Sequence, residues 1–161
     1  MMGNLKLPDT IKMVITDFDG VVTDNCVFIG DDYSMSRRLN FKDVMGFSIL
    51  KKKDYKIGII SGEKNAAIEL LARKFLIDEV HQDIRLKINV LQSIIEKYGF
   101  TQNEYVYIGD DVNDFDCLNY AKYKITVPHA PEKLKKIKGI QITQNDGGSG
   151  AFREVADCLA G

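Results

Sequence analysis

The stretch IKMVITDFDG, residues 11–20, decides how this chain is read. An apolar, β-prone run ends abruptly in two aspartates that flank one phenylalanine, with glycine behind them. Such a run reads as a strand buried in a parallel sheet, and it delivers Asp17 and Asp19 to the strand's carboxyl end. Two like charges a few ångströms apart are unfavourable unless a cation compensates them, so the arrangement asks for a metal. A second apolar run, EYVYIG, is followed by Asp110, Asp111 and Asp114, and Lys87 lies between the two clusters in sequence. Two acidic strand ends and one lysine outline a site that handles phosphate.

Each piece also has a plainer reading. Asp-x-Asp-Gly is common in turns. It can also open a calcium loop, but that loop needs an oxygen ligand at its fifth position and glycine at its sixth, where this chain has Val21 and Val22. Asp110, Asp111 and Asp114 alone can begin a helix, because acidic groups favour the first turn. The combination in chain order is what accident does not readily supply.

The chain has 161 residues, enough for one domain over 1–161 that buries roughly two thirds of its unfolded surface. Hydrophobic residues make up 45% and charged residues 28%, and no apolar stretch approaches the ~20 residues of a membrane span, so no membrane role is expected. MMGNLKLPDT shows no signal-peptide core, which leads to an expected cytoplasmic location. Basic and acidic residues, 22 and 23, nearly cancel, and nucleic acid is excluded as a partner for want of a concentrated positive face. Cys26, Cys117 and Cys158 are widely spaced and read as buried reduced thiols. His81 and His129 share no ligand spacing; His129, in VPHAP, occupies a loop that can border a site, although a structural role is the simpler reading.

Strand-like runs at 11–16, 56–60, 105–108 and 124–127, with short ones near 79–81 and 140–142, alternate with helical patterns. This predicts an α/β fold with a doubly wound, mainly parallel sheet. Helices are expected at 43–54 with Asp43 as N-cap, at 64–75, at 84–98 with a stop at Gly99, and in short pieces from Val112, Pro131 and Gly150. Between Asp24 and Asn40, CVFIG and SRRLNF flank DDYS and predict a β-hairpin immediately after the first acidic pair. That position is the ligand-binding face of an open α/β sheet.

The chemistry these residues allow is phosphoryl transfer. A carboxylate at a strand end, Asp17, can attack a phosphate monoester and form an aspartyl phosphate. Asp19 can protonate the leaving alcohol and then activate water. Magnesium suits a ligand set of Asp17, a backbone carbonyl near Asp19, and Asp110. Lys87 adds a fixed cation, and Ser61-Gly62 after the strand KIGII can hold phosphate oxygens.

DFDG at 17–20, Ser61-Gly62, Lys87 and GDDVND at 109–114 match, in order and strand context, the four motifs of the haloacid dehalogenase (HAD) superfamily. DGVVTD at 19–24, the hairpin, NFKDVMG at 40–46 and GGSGAFREV at 147–155 resemble the 3-deoxy-D-manno-octulosonate 8-phosphate phosphatase subfamily and its sialic-type, nonulosonate 9-phosphate relatives. The resemblance implies a Rossmann-like HAD fold without a cap domain and a magnesium-dependent hydrolase of a phosphorylated sugar acid. It also implies a homotetramer in which the hairpin and C-terminal segment of neighbouring subunits complete each site. Carried over position by position, Asp17 is the nucleophile, Asp19 the acid and base, Ser61 and Gly62 hold phosphate, Lys87 neutralises charge and Asp110 binds metal. Asp111 and Asp114 support the metal through its ligands. The chain departs from the octulosonate pattern at Glu63, where those enzymes commonly carry arginine. Glu63 can bind sugar hydroxyls, and Arg73 or Lys74 on the next helix then become candidates for the substrate carboxylate, acting across a subunit interface.

Two other classes compete. A signalling receiver module shares the acidic pocket and lysine, but it places its phosphoacceptor near the third strand rather than the first. A catalytically silent HAD-type oligomerisation domain, like those of sialic-acid activating enzymes, is the other alternative, although every motif position is filled here.

Overall fold

The computed structural model describes residues 5–161; residues 1–4, part of the stretch read above for a signal, lie outside the described residues. The elements in chain order are β1 (Met13–Thr16), β2 (Phe28–Ile29), β3 (Met35–Ser36), α1 (Phe41–Lys52), β4 (Lys56–Ile60), α2 (Ala66–Phe75), β5 (Glu79–His81) and α3 (Lys87–Tyr98). They continue with β6 (Tyr105–Ile108), a 3-10 turn (Val112–Asp114), α4 (Phe115–Tyr120), β7 (Tyr123–Thr126), α5 (Glu132–Lys135), β8 (Gln141–Ile142) and α6 (Ala151–Ala160).

Six strands form one sheet in the order β5-β4-β1-β6-β7-β8, and every pairing is parallel. β1 is central, with β4 on one side and β6 on the other, so the connections leaving it and β6 diverge at the carboxyl edge and open a crevice there. The strands are apolar on both faces because helices cover both. Val14, Ile57, Ile59, Val106 and Ile108 pack beneath α1, α2 and α6 through Phe47, Leu50, Ile68, Leu71 and Phe152. Met13, Ile15, Tyr105 and Tyr107 point the other way, toward Leu91 and Ile94 of α3 and Leu118 of α4. Between β1 and β4 the chain makes only the β2–β3 hairpin and α1, and no cap domain is present among the described residues. No helix of the described residues is long and apolar enough to cross a membrane.

Several local expectations are corrected. α1 is capped by Asn40, whose side chain accepts from the Lys42 N–H at 2.9 Å, and not by Asp43. Both residue types cap well, and tertiary structure assigns Asp43 elsewhere. Fully buried in the first turn of α1, Asp43 accepts from the Gly150 N–H at 3.0 Å and the Arg153 N–H at 3.2 Å, at the start of α6. Replacing Asp43 with alanine removes the acceptor for these buried donors, at a cost of about 2–4 kcal/mol. The expected fall in melting temperature is about 5–15 °C. A fall below about 2 °C would show that the contact contributes nothing.

α3 begins at Lys87 rather than at residue 84, because 82–86 run as non-helical chain along the cleft. Its stop is as expected, with Gly99 in the left-handed conformation at φ 64°. The hairpin's second strand is only Met35–Ser36, because Arg37 and Arg38 turn to Asp19 and Asp24. Cys26 is exposed, contrary to expectation; Cys117 is buried and Cys158 partly so.

Candidate active site

The crevice at the carboxyl edge is a cleft of about 810 Å³ lined by Asp17, Asp19, Arg37, Ser61, Asp110 and Asp111, among others. β1 fixes Asp17: its N–H donates to Ile108 O at 2.9 Å, continuing the β1–β6 ladder one residue past the strand. Carboxylate oxygens of Asp17, Asp110 and Asp114 lie within 4.8 Å of one another. Lys87 Nζ meets Asp17 Oδ1 and Asp114 Oδ1, both at 2.9 Å, with a fully buried ammonium. Two acidic clusters 93 residues apart in sequence thus converge on one lysine.

Gly20 is what permits the approach. It sits at φ 91°, and a Cβ added there would fall 1.8 Å from Asp110 Oδ2. Any side chain would therefore displace Asp110 and strain the backbone. The C-terminal segment closes on the same loop: a Cβ at Gly147 would lie 1.9 Å from Gly20 O.

Burial first, and then the Asp114 carboxylate, push the Asp17 carboxyl well above the usual carboxylate range, although Lys87 opposes the shift. Asp110 is pushed up to about 6, again mainly by burial, with Asp114 and Asp111 adding to it. Burial works against charge on Lys87, yet Asp114 and Asp17 hold its ammonium above the usual lysine range. The donor set is hard oxygen, buried, and short of positive charge, which fits a divalent cation between Asp17 and Asp110.

Asp114 is committed differently. Its Oδ1 accepts from Lys87 and from Tyr107 Oη at 2.7 Å, and its Oδ2 accepts from the Asp110 N–H at 3.1 Å. With donors on both oxygens it orients Lys87 and Asp110. Asp111 caps the 3-10 turn, accepting from the Val112 N–H at 2.7 Å. GDDVND thus starts a helical turn through Asp111 and at the same time brings Asp110 to the cleft wall.

Arg37 was not among the residues singled out above. It reaches back from the end of β3, its Nε donating to Asp19 Oδ1 at 2.8 Å and Oδ2 at 3.0 Å, while Thr23 Oγ1 donates to Oδ1 at 3.0 Å. Its side chain is only 4% exposed. A strand-like SRR segment carries no signal for this contact, which the hairpin's fold-back creates. Asn25 Nδ2 approaches Asp110 Oδ2 at 3.5 Å from the same connection.

Ser61 and Gly62 line the cleft at the end of β4, with Glu63 beside them. The Ser61 N–H is occupied by His81 O at 2.8 Å, and its hydroxyl turns onto the Glu63 backbone, donating to Glu63 O at 2.8 Å. Lys74 is not among the cleft residues. It is exposed, with Nζ 5.5 Å from the Phe75 ring centre, and Arg73 beside it is exposed as well. α2 starts near the carboxyl edge and runs about 15 Å away from it, which carries both side chains to the far end. His129 also lies outside the cleft, with Nδ1 2.6 Å from Asp146 Oδ1.

A model of haloacid dehalogenase-like hydrolases matches residues 72–153, just over half the chain. The chain belongs to this family. Within the family, it is 26% identical over 151 residues to the 3-deoxy-D-manno-octulosonate 8-phosphate phosphatase of Escherichia coli K12, covering 94% of this chain and 80% of that protein. The corresponding Moraxella catarrhalis phosphatase, solved with magnesium, phosphate and the sugar acid KDO, superposes with a TM-score of 0.88 at 27% identity, covering 94% of this chain and 86% of that one. The cobalt-bound octulosonate 8-phosphate phosphatase of Haemophilus influenzae gives 0.86 at 26% identity, over 94% and 88%. This HAD hydrolase thus shares both the fold and the cap-free architecture with enzymes of one chemical class.

Proposed function

We propose that this HAD hydrolase is a magnesium-dependent phosphatase that removes the terminal phosphate of a 2-keto-3-deoxy sugar acid, either 3-deoxy-D-manno-octulosonate 8-phosphate or a nonulosonate 9-phosphate. The observation that carries the reading is the convergence of Asp17, Lys87 and Asp110 at one strand edge. The similarity to octulosonate 8-phosphate phosphatases over 94% of the chain supports the substrate class.

In this reading the Asp17 oxygen not engaged by Lys87 attacks phosphorus, the P–O bond to the sugar breaks, and Asp19 gives its proton to the departing alkoxide. Asp19 then takes a proton from water, whose oxygen attacks the phosphoryl group, releasing inorganic phosphate and restoring Asp17. Lys87 holds Asp17 in line and opposes charge on the phosphoryl oxygens, while Gly62 and the Ser61 hydroxyl bind them. The hydroxyl must first leave the Glu63 backbone. Arg37 fixes the direction of the Asp19 carboxylate. Asp17, Asp110 and the Asp19 backbone carbonyl would hold magnesium, which would supply the positive charge that one anion needs to attack another.

Self-association into a homotetramer completes the reading. Phe28, Ile29 and Tyr33 of the hairpin are 66%, 68% and 90% exposed, an apolar surface of the kind that a partner subunit covers. Phosphate release from octulosonate 8-phosphate and nonulosonate 9-phosphate, with magnesium and with excess chelator, tests the proposal. Turnover of at least one substrate is expected, lost on chelation, from a preparation whose mass by light scattering exceeds that of a monomer. No turnover of either would leave a silent assembly domain, and a monomer would remove the shared-site arrangement.

A further inference from the structure

Five carboxylates line the cleft, on Asp17, Asp19, Glu63, Asp110 and Asp111, against two guanidinium groups, on Arg37 and Arg85. Arg37 is committed to Asp19, and Lys87, buried behind the cleft, to Asp17 and Asp114. Arg85 is exposed and, among the described residues, forms no ion pair. Its backbone is nevertheless well anchored. The preceding Ile84 N–H donates to Ser61 O at 3.0 Å, and two residues onward Lys87 is buried against Asp17. An arginine with no ion-pair partner among the described residues therefore lines the cleft from an anchored segment that joins the Ser61 contact to Lys87.

The cleft, at about 810 Å³, is far larger than a phosphate requires and falls in the range that encloses drug-sized ligands. The rest of the substrate must then lie against the wall. A sugar acid phosphate brings a second anion, its carboxylate, into a cleft where Glu63 and Asp111 repel it. A guanidinium matches a carboxylate with two parallel N–H donors and stays charged at all working pH values. We infer that Arg85 recognises the carboxylate of the sugar acid and so sets the preference for acidic over neutral sugar phosphates. This rests on the sugar-acid reading above.

Arg85→Gln and Arg85→Lys test it, against wild type, on a 2-keto-3-deoxy acid phosphate and on a neutral aldose phosphate of similar length. A charge-assisted hydrogen bond predicts that Arg85→Gln lowers the acid-over-neutral ratio of kcat/KM by about 10- to 100-fold, mostly through KM. Arg85→Lys, which keeps the charge without the fork, should fall between. Inhibition by the dephosphorylated sugar acid, which carries the carboxylate alone, should weaken by a similar factor, and inhibition by inorganic phosphate by much less.

An unchanged ratio in a wild type that prefers acids would overturn the role of Arg85 and leave the substrate reading standing. Equal losses on both substrates, with weaker inhibition by inorganic phosphate, would place Arg85 on the phosphoryl group instead. A wild type that hydrolyses neutral phosphates but no sugar acid phosphate would remove the substrate reading, and this inference with it.

Discussion

Asp17→Asn is expected to lower turnover by about 10⁴-fold or more while leaving the protein folded. The amide retains the shape of the carboxylate and can still accept from the Phe18 N–H, which meets Asp17 Oδ1 at 2.7 Å. It is too weak a nucleophile to take a phosphoryl group. The same change relieves repulsion, since Asp17, Asp110 and Asp114 crowd within 4.8 Å around one ammonium. Without metal, the variant should therefore melt no lower than wild type. It should also lose most of the rise in melting temperature that magnesium gives wild type, because a ligand stabilises only as far as it binds the folded state. Retention of full activity would mean that another group attacks phosphorus. An undiminished magnesium-induced shift would mean that the ion binds elsewhere.

Lys87→Met is expected to have the largest effect on stability. Methionine fills much of the lysine's volume, but it leaves Asp114 and Asp17 facing each other, both buried, without the cation that meets each at 2.9 Å. Removing one partner from a buried ion pair costs about 3–5 kcal/mol, here about 6–20 °C in melting temperature. Turnover should fall by about 10²–10³-fold through loss of fixed positive charge.

The stability loss should depend on pH in a definite direction. A carboxyl whose folded pKa is raised binds its proton more tightly folded than unfolded, so protonation favours the folded state as pH falls through the raised value. Asp110 is raised to about 6 from an ordinary 3.8, and Asp17 is raised as well. The gap between Lys87→Met and wild type should therefore be widest above pH 6, narrow toward pH 4, and change little below that. Melting curves across this range check it, and a gap that widens on acidification would contradict the role given to Lys87.

What could be read in advance follows from the range of the forces involved. β1, β4 and β6 were legible because strands buried on both faces must be apolar throughout, and the aspartates after β1 and β6 stood out because charge rarely follows such runs without purpose. Lys87 was legible by its place between the two clusters, although a lysine opening a helix is ordinarily solvated. Asp43 was read as the cap of α1 because the donors that claim it belong to α6, more than 100 residues away, and leave no local mark. Arg73 and Lys74 end α2 about 15 Å from its start near Glu63, as helical rise requires, which keeps both outside this chain's own cleft. Arg37 and Arg85 carried no local signal at all.

From its order of residues alone this chain determined a parallel α/β sheet, a hairpin after the first strand and the acidic, hydroxyl and lysine positions that end its strands or begin the next helix, since periodicity and residue chemistry act over a few neighbours. Tertiary structure alone decided that Asp114 serves Lys87 and Asp110, that Arg37 folds back on Asp19, and that Arg85 lines the cleft without an ion-pair partner among the described residues. Those relations depend on distances of a few ångströms between segments far apart along the chain, and only packing of the whole sheet sets such distances.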